Sequence, residues 1–137
     1  MELAWKRDRA ISVKDTAELD AALEAIERDP QRIEPVLAFL AGPTGFLSIG
    51  LGDKDFSVLM YGTHDRQTPL HAVGDEAARA AGEDRPFLSF SSYGRPVQFA
   101  KWCGLPKETA RLAARCFLQQ DGGLWSHLRW EEETQSR

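Results

Sequence analysis

Apolar residues recur along this chain with two periods. Leu19, Ala22, Leu23 and Ile26 fall at i, i+3, i+4 and i+7, which makes one apolar stripe on a helix. Asp15-Thr16-Ala17-Glu18 in front of them fits a capping box, an acceptor side chain followed three residues later by a glutamate. Pro30 ends this helix. A second stripe holds Thr109, Ala110, Ala113, Cys116 and Phe117, with Lys107, Glu108, Arg111, Arg115 and Gln119 outside it. Pro106 suits the first helical position and Gly122-Gly123 stops the helix.

The remaining apolar runs are short and bounded by turn residues. Leu3–Lys6 and Ala10–Val13 are strand candidates. Val36–Ala41, Phe46–Leu51 and Phe56–Tyr61 are separated by Gly42-Pro43-Thr44-Gly45 and Gly52-Asp53-Lys54-Asp55, as in a meander. After a loop over Thr63–Pro69, Leu70–Val73 offers a short strand. Gly74–Asp84 is polar and Ala-rich and reads equally as loop or helical turn. Phe87–Ser91 and Pro96–Phe99 form a hairpin across Tyr93-Gly94-Arg95, and Trp130–Glu132 is a last strand. The order predicts an α+β fold: an antiparallel sheet, meander plus hairpin, with two helices packed on one face.

At 137 residues, without repeats or low-complexity linkers, the chain is expected to form a single domain over 1–137. The N-terminus lacks a signal-peptide core and no apolar run reaches membrane-spanning length. Two cysteines make no disulfide framework, so a reduced, cytoplasmic protein is expected. Net charge is −4, and its distribution is uneven. Asp15, Glu18, Asp20, Glu24, Glu27 and Asp29 crowd the first helix beside Arg28, whereas Lys107, Arg111 and Arg115 lie on the second. An acidic face of this kind is either a solvated surface or a match for a basic protein partner. No basic stripe of nucleic-acid-binding size is present.

Catalytic chemistry is not legible in the pattern. Cys103 as a nucleophile needs a base within hydrogen-bond reach, and His64, His71 and His127 form no local motif with it. Trp102-Cys103-Gly104 reads more naturally as a turn beneath the helix, and Cys116 as core. Two cysteines and three scattered histidines do not supply zinc spacing, and neither Gly-rich turn carries a phosphate-loop lysine. Asp53 and Asp55 read as solvated turn residues. No catalytic residue, metal or cofactor is therefore expected. Tyr93 and Trp102 lie in loops, where exposed aromatic residues anchor partners, while Glu24 and Glu27 head the acidic helix. These four are the candidate partner-binding residues.

Order and spacing across Thr16 to Glu132 resemble the family-one immunity proteins of bacterial polymorphic toxin systems. The resemblance rests on Thr16-Ala17-Glu18-Leu19, on Leu47-Ser48-Ile49-Gly50-Leu51-Gly52 followed by Ser57-Val58-Leu59-Met60-Tyr61, and on Tyr93-Gly94 and Phe99. It continues through Leu105-Pro106, the Ala-rich helix ending Phe117-Leu118, and Trp130-Glu131-Glu132. The chain departs from the family pattern at Phe99-Ala100, where Phe-Pro is common, and at Leu124-Trp125-Ser126, where a proline often precedes the terminal strand.

The resemblance implies a cytoplasmic antidote that binds a cognate toxin domain, often a nuclease or nucleic-acid deaminase, and blocks its active site. It supplies no catalytic residues. The residues alone also admit a small-ligand-binding or regulatory α+β domain, or a cysteine-dependent enzyme using Cys103.

Overall fold

A computed structural model describes residues 1–6, 8–63, 68–74 and 87–132. Among these the chain forms β1 (Glu2–Lys6), β2 (Arg9–Ser12), α1 (Thr16–Glu27), β3 (Val36–Ala41), β4 (Gly45–Leu51) and β5 (Phe56–Ser57). It continues through β6 (Leu59–Thr63), β7 (Leu70–Ala72), β8 (Phe87–Ser92), β9 (Arg95–Ala100) and a 3-10 turn at Lys101–Cys103. Then come β10 (Leu105–Pro106), α2 (Lys107–Gln119) and β11 (Trp130–Glu132). The architecture is α+β. Strands run in the order β11-β7-β6-β4-β3-β1-β2, with β8 beside β3 and β9 beside β8. Pairing is antiparallel except for the Val36–Ser91 bridge between β3 and β8. No described helix is long and apolar enough to cross a membrane.

The capping box forms as the sequence predicts. Asp15 Oδ1 accepts the Glu18 N–H at 2.8 Å, and Glu18 Oε1 accepts the Lys14 N–H at 2.7 Å. Leu19, Ala22, Leu23 and Ile26 are all buried. Both helices lie over the face bearing Ala38, Leu40, Leu47, Ile49 and Leu59, and share one core with them.

The opposite face has its own core. Alternation along β3 sends Leu37 and Phe39 away from the helices, where they meet Leu88, Phe90 and Phe99 of the β8–β9 hairpin. The strand β4 is therefore covered on both sides, and Leu47 through Leu51 are buried without a break. Leu47, Ile49 and Leu51 face the helices, while Ser48 and Gly50 face the hairpin. A Cβ on Gly50 would lie 2.5 Å from the Phe90 ring, so only a glycine admits that ring.

Several boundaries differ from the sequence reading. The expected strand Phe56–Tyr61 divides in two, because Phe56 and Ser57 leave to pair with Pro106 and Leu105. The buried Ser57 hydroxyl donates to the Gly50 carbonyl at 2.7 Å and holds the departure in place. Pro106 belongs to β10 and caps α2 instead of opening its first turn. On α2 the buried set is Ala110, Ala113, Ala114, Phe117 and Leu118. Thr109 and Cys116 fall at its margin, because the helix contacts both the sheet and α1 and buries a broader face. Asp53 is not a solvated turn residue; it is buried, and its Oδ2 accepts the N–H groups of Asp55 and Phe56, each at 2.9 Å. Of the stretch Gly74–Asp84 only Gly74 lies among the described residues, and His64 lies outside them.

Two substitutions test the two cores. Phe117 is fully buried and packs edge-on against Tyr61 at 6.1 Å between ring centroids. Phe117→Ala should cost about 3–5 kcal/mol through lost burial and a cavity. Gly50→Ala should cost about 1–3 kcal/mol by overpacking against Phe90. Chemical denaturation measures both, and an unchanged midpoint for Gly50→Ala would show that the hairpin does not press on β4.

Candidate functional site

The acidic face of α1 meets the basic face of α2. Asp20 pairs with Arg115 at 2.9 Å, Glu24 with Arg111 at 2.9 Å, and Glu27 with both Arg111 at 2.6 Å and Lys107 at 3.2 Å. Glu24 also pairs with Arg28 at 2.6 Å, one turn along its own helix. The Glu27 side chain is 15% exposed and that of Arg111 is 18%, so this contact is well shielded from water. Glu27 Oε2 further accepts the Gly52 N–H at 3.1 Å, tying α1 to the turn after β4. The face read as solvated or partner-seeking is thus largely neutralised inside the fold. Helical spacing shows which residues share a face, but not that these two faces oppose each other.

Burial raises the pKa of the Glu27 carboxyl. Its bonds to Arg111, Gly52 and Lys107 outweigh that effect and hold it below the ordinary carboxylate value. Burial likewise disfavours the Arg111 cation, yet Glu27 and Glu24 raise its pKa overall. Each group favours the charged form of the other.

Beneath the hairpin, the structure brings Cys103 to His71, with 3.9 Å between Sγ and Nδ1. Both residues are buried. The imidazole also sits edge-on to Phe99 at 5.6 Å and to Trp102 at 6.4 Å. A thiol is a weak donor, and this contact is at the long end of the sulfur range. Trp102, a possible anchor from its loop position, is only partly exposed and packs against the second core. His127 is far along the chain and stacks obliquely on Trp125 at 5.0 Å. Among the described residues, no three His, Cys, Asp or Glu side chains gather in metal-ligating geometry.

Tyr93 is placed differently. It is 48% exposed at the tip of the β8–β9 hairpin, with φ of 51°, followed by Gly94 at 85°. Two successive positive φ values match the turn that suits the right-handed twist of a hairpin, but a tyrosine there costs about 1–2 kcal/mol in backbone strain. The ring lies flat on Phe39, 5.6 Å between centroids and 7° from parallel. That stack helps to offset the strain and fixes the ring's direction. Beside it opens a pocket of about 380 Å³, bordered by Trp5, Lys6, Arg32, Ile33, Val36 and Tyr93. The sequence pattern gave no sign of this pocket, because its walls come from β1, the α1–β3 loop and the hairpin.

A fold does not by itself fix a function. Residues 7–132 match the family described as immunity protein Imm1. This chain belongs to that immunity-protein family. No curated protein shows significant similarity to it.

The ion-pair ladder makes stability pH-dependent. Because the folded pKa of Glu27 is lowered, its contribution is complete above the ordinary carboxylate value of about 4.3 and is lost as pH falls from there toward the folded value. Glu27→Gln should reduce stability at pH 7 by about 2 kcal/mol, since it leaves Arg111 half-buried with one carboxylate fewer. Its melting temperature should also decline less between pH 5 and pH 3, on the order of the carboxylate range. Parallel decline of the two proteins across that range would place the pH dependence elsewhere.

Proposed function

We propose that this chain is a cytoplasmic immunity protein that neutralises one cognate toxin domain by binding it and covering its active site. The observation that carries this reading is the family match over residues 7–132. The toxin would act on nucleic acid and be encoded beside this chain in a bacterial polymorphic toxin system. The protein's part is recognition, and it needs no turnover, metal or cofactor of its own. The burial of Cys103 and His71 supports a packing role for that pair.

Within this reading Tyr93 is the strongest of the four partner-binding candidates, because it is exposed, aromatic and held in one orientation. Trp102 is partly buried and packs against the second core beside His71. Glu24 and Glu27 act mainly on α2, and their field at a distance is reduced by Arg28, Lys107 and Arg111. The net charge of −4 still favours approach of a basic toxin surface.

Co-expression provides the test. The C-terminal domain encoded by the neighbouring reading frame should arrest growth, and this chain should restore it and co-purify with the domain. The purified protein should be inert toward nucleic acids, nucleotides and esters, and Cys103→Ala should protect as well as the parent. Failure to form a complex would overturn the reading. So would a metal-independent turnover that tracks the protein and disappears in Cys103→Ala.

A further inference from the structure

We propose that the pocket beside Tyr93 is the docking site for the toxin domain, and that it takes an apolar or aromatic side chain of the partner flanked by a carboxylate. This rests on the immunity reading above and says where the complex forms.

The pocket exists because the edge of β3 is shared. β4 pairs with β3 from Val36 to Ala41 and occupies one edge completely. β1 pairs with Phe39 to Ala41 on the other, and β8 pairs with it only at Val36. A cleft opens where β1 and β8 part company, and the loop after α1 closes its side. About 380 Å³ is room for one large side chain and its neighbour, at the small end of ligand pockets.

Its lining has the character of a protein-binding anchor site. Ile33 is 98% exposed, the most extreme exposure of a large apolar residue among those described. Tyr93 stands near it with one face on Phe39, while Trp5 and Val36 supply the apolar floor. Exposed apolar groups concentrated around a cleft, with rigid aromatic walls, mark where a partner's side chain is buried.

The charge of the wall selects the partner's chemistry. Arg32 Nη2 donates to the Glu27 carbonyl at 2.9 Å, so a neutral acceptor positions the guanidinium. Among the described residues no carboxylate lies within ion-pairing distance of it, and its buried Nε has no acceptor. On α2, by contrast, Lys107, Arg111 and Arg115 each have a carboxylate. Lys6 is half-exposed, and its link to Asp29 is long, at 3.8 Å. Glu34 also borders the pocket and disfavours more than one acid there. A single partner carboxylate would therefore meet two cations with charge to spare, which anchors the complex at short range. Steering of a basic toxin by the overall negative charge acts at longer range and is compatible with it.

Surface-binding kinetics against the C-terminal domain encoded by the neighbouring reading frame test the site, with a melting curve for every variant. Ile33→Asp, at a position almost wholly in solvent, should melt like the parent and weaken binding by about 30-fold through faster dissociation. Tyr93→Ala should do the same, Lys6→Glu should weaken binding most at low salt, and Leu112→Asp on the exposed face of α2 should leave it unchanged. Parent-like affinity in both Ile33→Asp and Tyr93→Ala would overturn this docking site while leaving the immunity reading intact. Tighter or unchanged binding in Lys6→Glu would overturn the carboxylate. Absence of binding by the parent protein itself would remove the functional reading and this site together.

Discussion

One glutamate ties together most of what matters in this molecule. The Glu27 carboxylate holds Lys107 and Arg111 of α2 and the Gly52 N–H of the turn after β4, while its backbone carbonyl holds Arg32. Two helices, a sheet turn and the wall of the pocket therefore meet at a single residue. A carboxylate half-withdrawn from water is costly on its own, and the three donors that surround it make its burial favourable. Remove the charge and Lys107 loses its carboxylate, while Arg111 keeps only Glu24.

The second constraint is the thickness of the sheet. A strand buried on both faces must present side chains of two sizes, and β4 does so, with leucine and isoleucine toward the helices and serine and glycine toward the hairpin. The small face lets Phe90 sit against the backbone, and this draws the hairpin down onto the sheet. Its tip then reaches Phe39, where Tyr93 is stacked in place. Tyr93 is in this sense positioned by a missing Cβ at Gly50. Binding surfaces built on rigid elements hold their geometry better than those on free loops.

Family membership and geometry bear on different questions. The match over residues 7–132 says what kind of protein this is, and nothing in it says which surface is used. Electrostatics inside the fold narrows that choice. Acidic residues matched by arginines across a helix interface cannot also act at full strength on an incoming protein, whereas a cation set by a neutral carbonyl can. The unmatched charge and the exposed apolar groups lie at the same cleft.

Much of the fold was legible in the sequence. Apolar spacing placed both helices, the capping box placed the start of the first, and turn residues separated the meander strands, because these signals depend on neighbours within a few positions. Tyr93 was visible as a loop aromatic for the same reason. Tertiary structure alone decided the rest. It turned Glu24 and Glu27 toward α2, sank Trp102 and Asp53, brought His71 to Cys103 and split the strand at Ser57. Asp53 bonds only two and three positions along, but the others depend on residues about 30 to 90 positions apart, whose meeting no local periodicity encodes. The pocket is the extreme case: its walls come from three separate segments, and it exists only because β1 and β8 share one edge of β3.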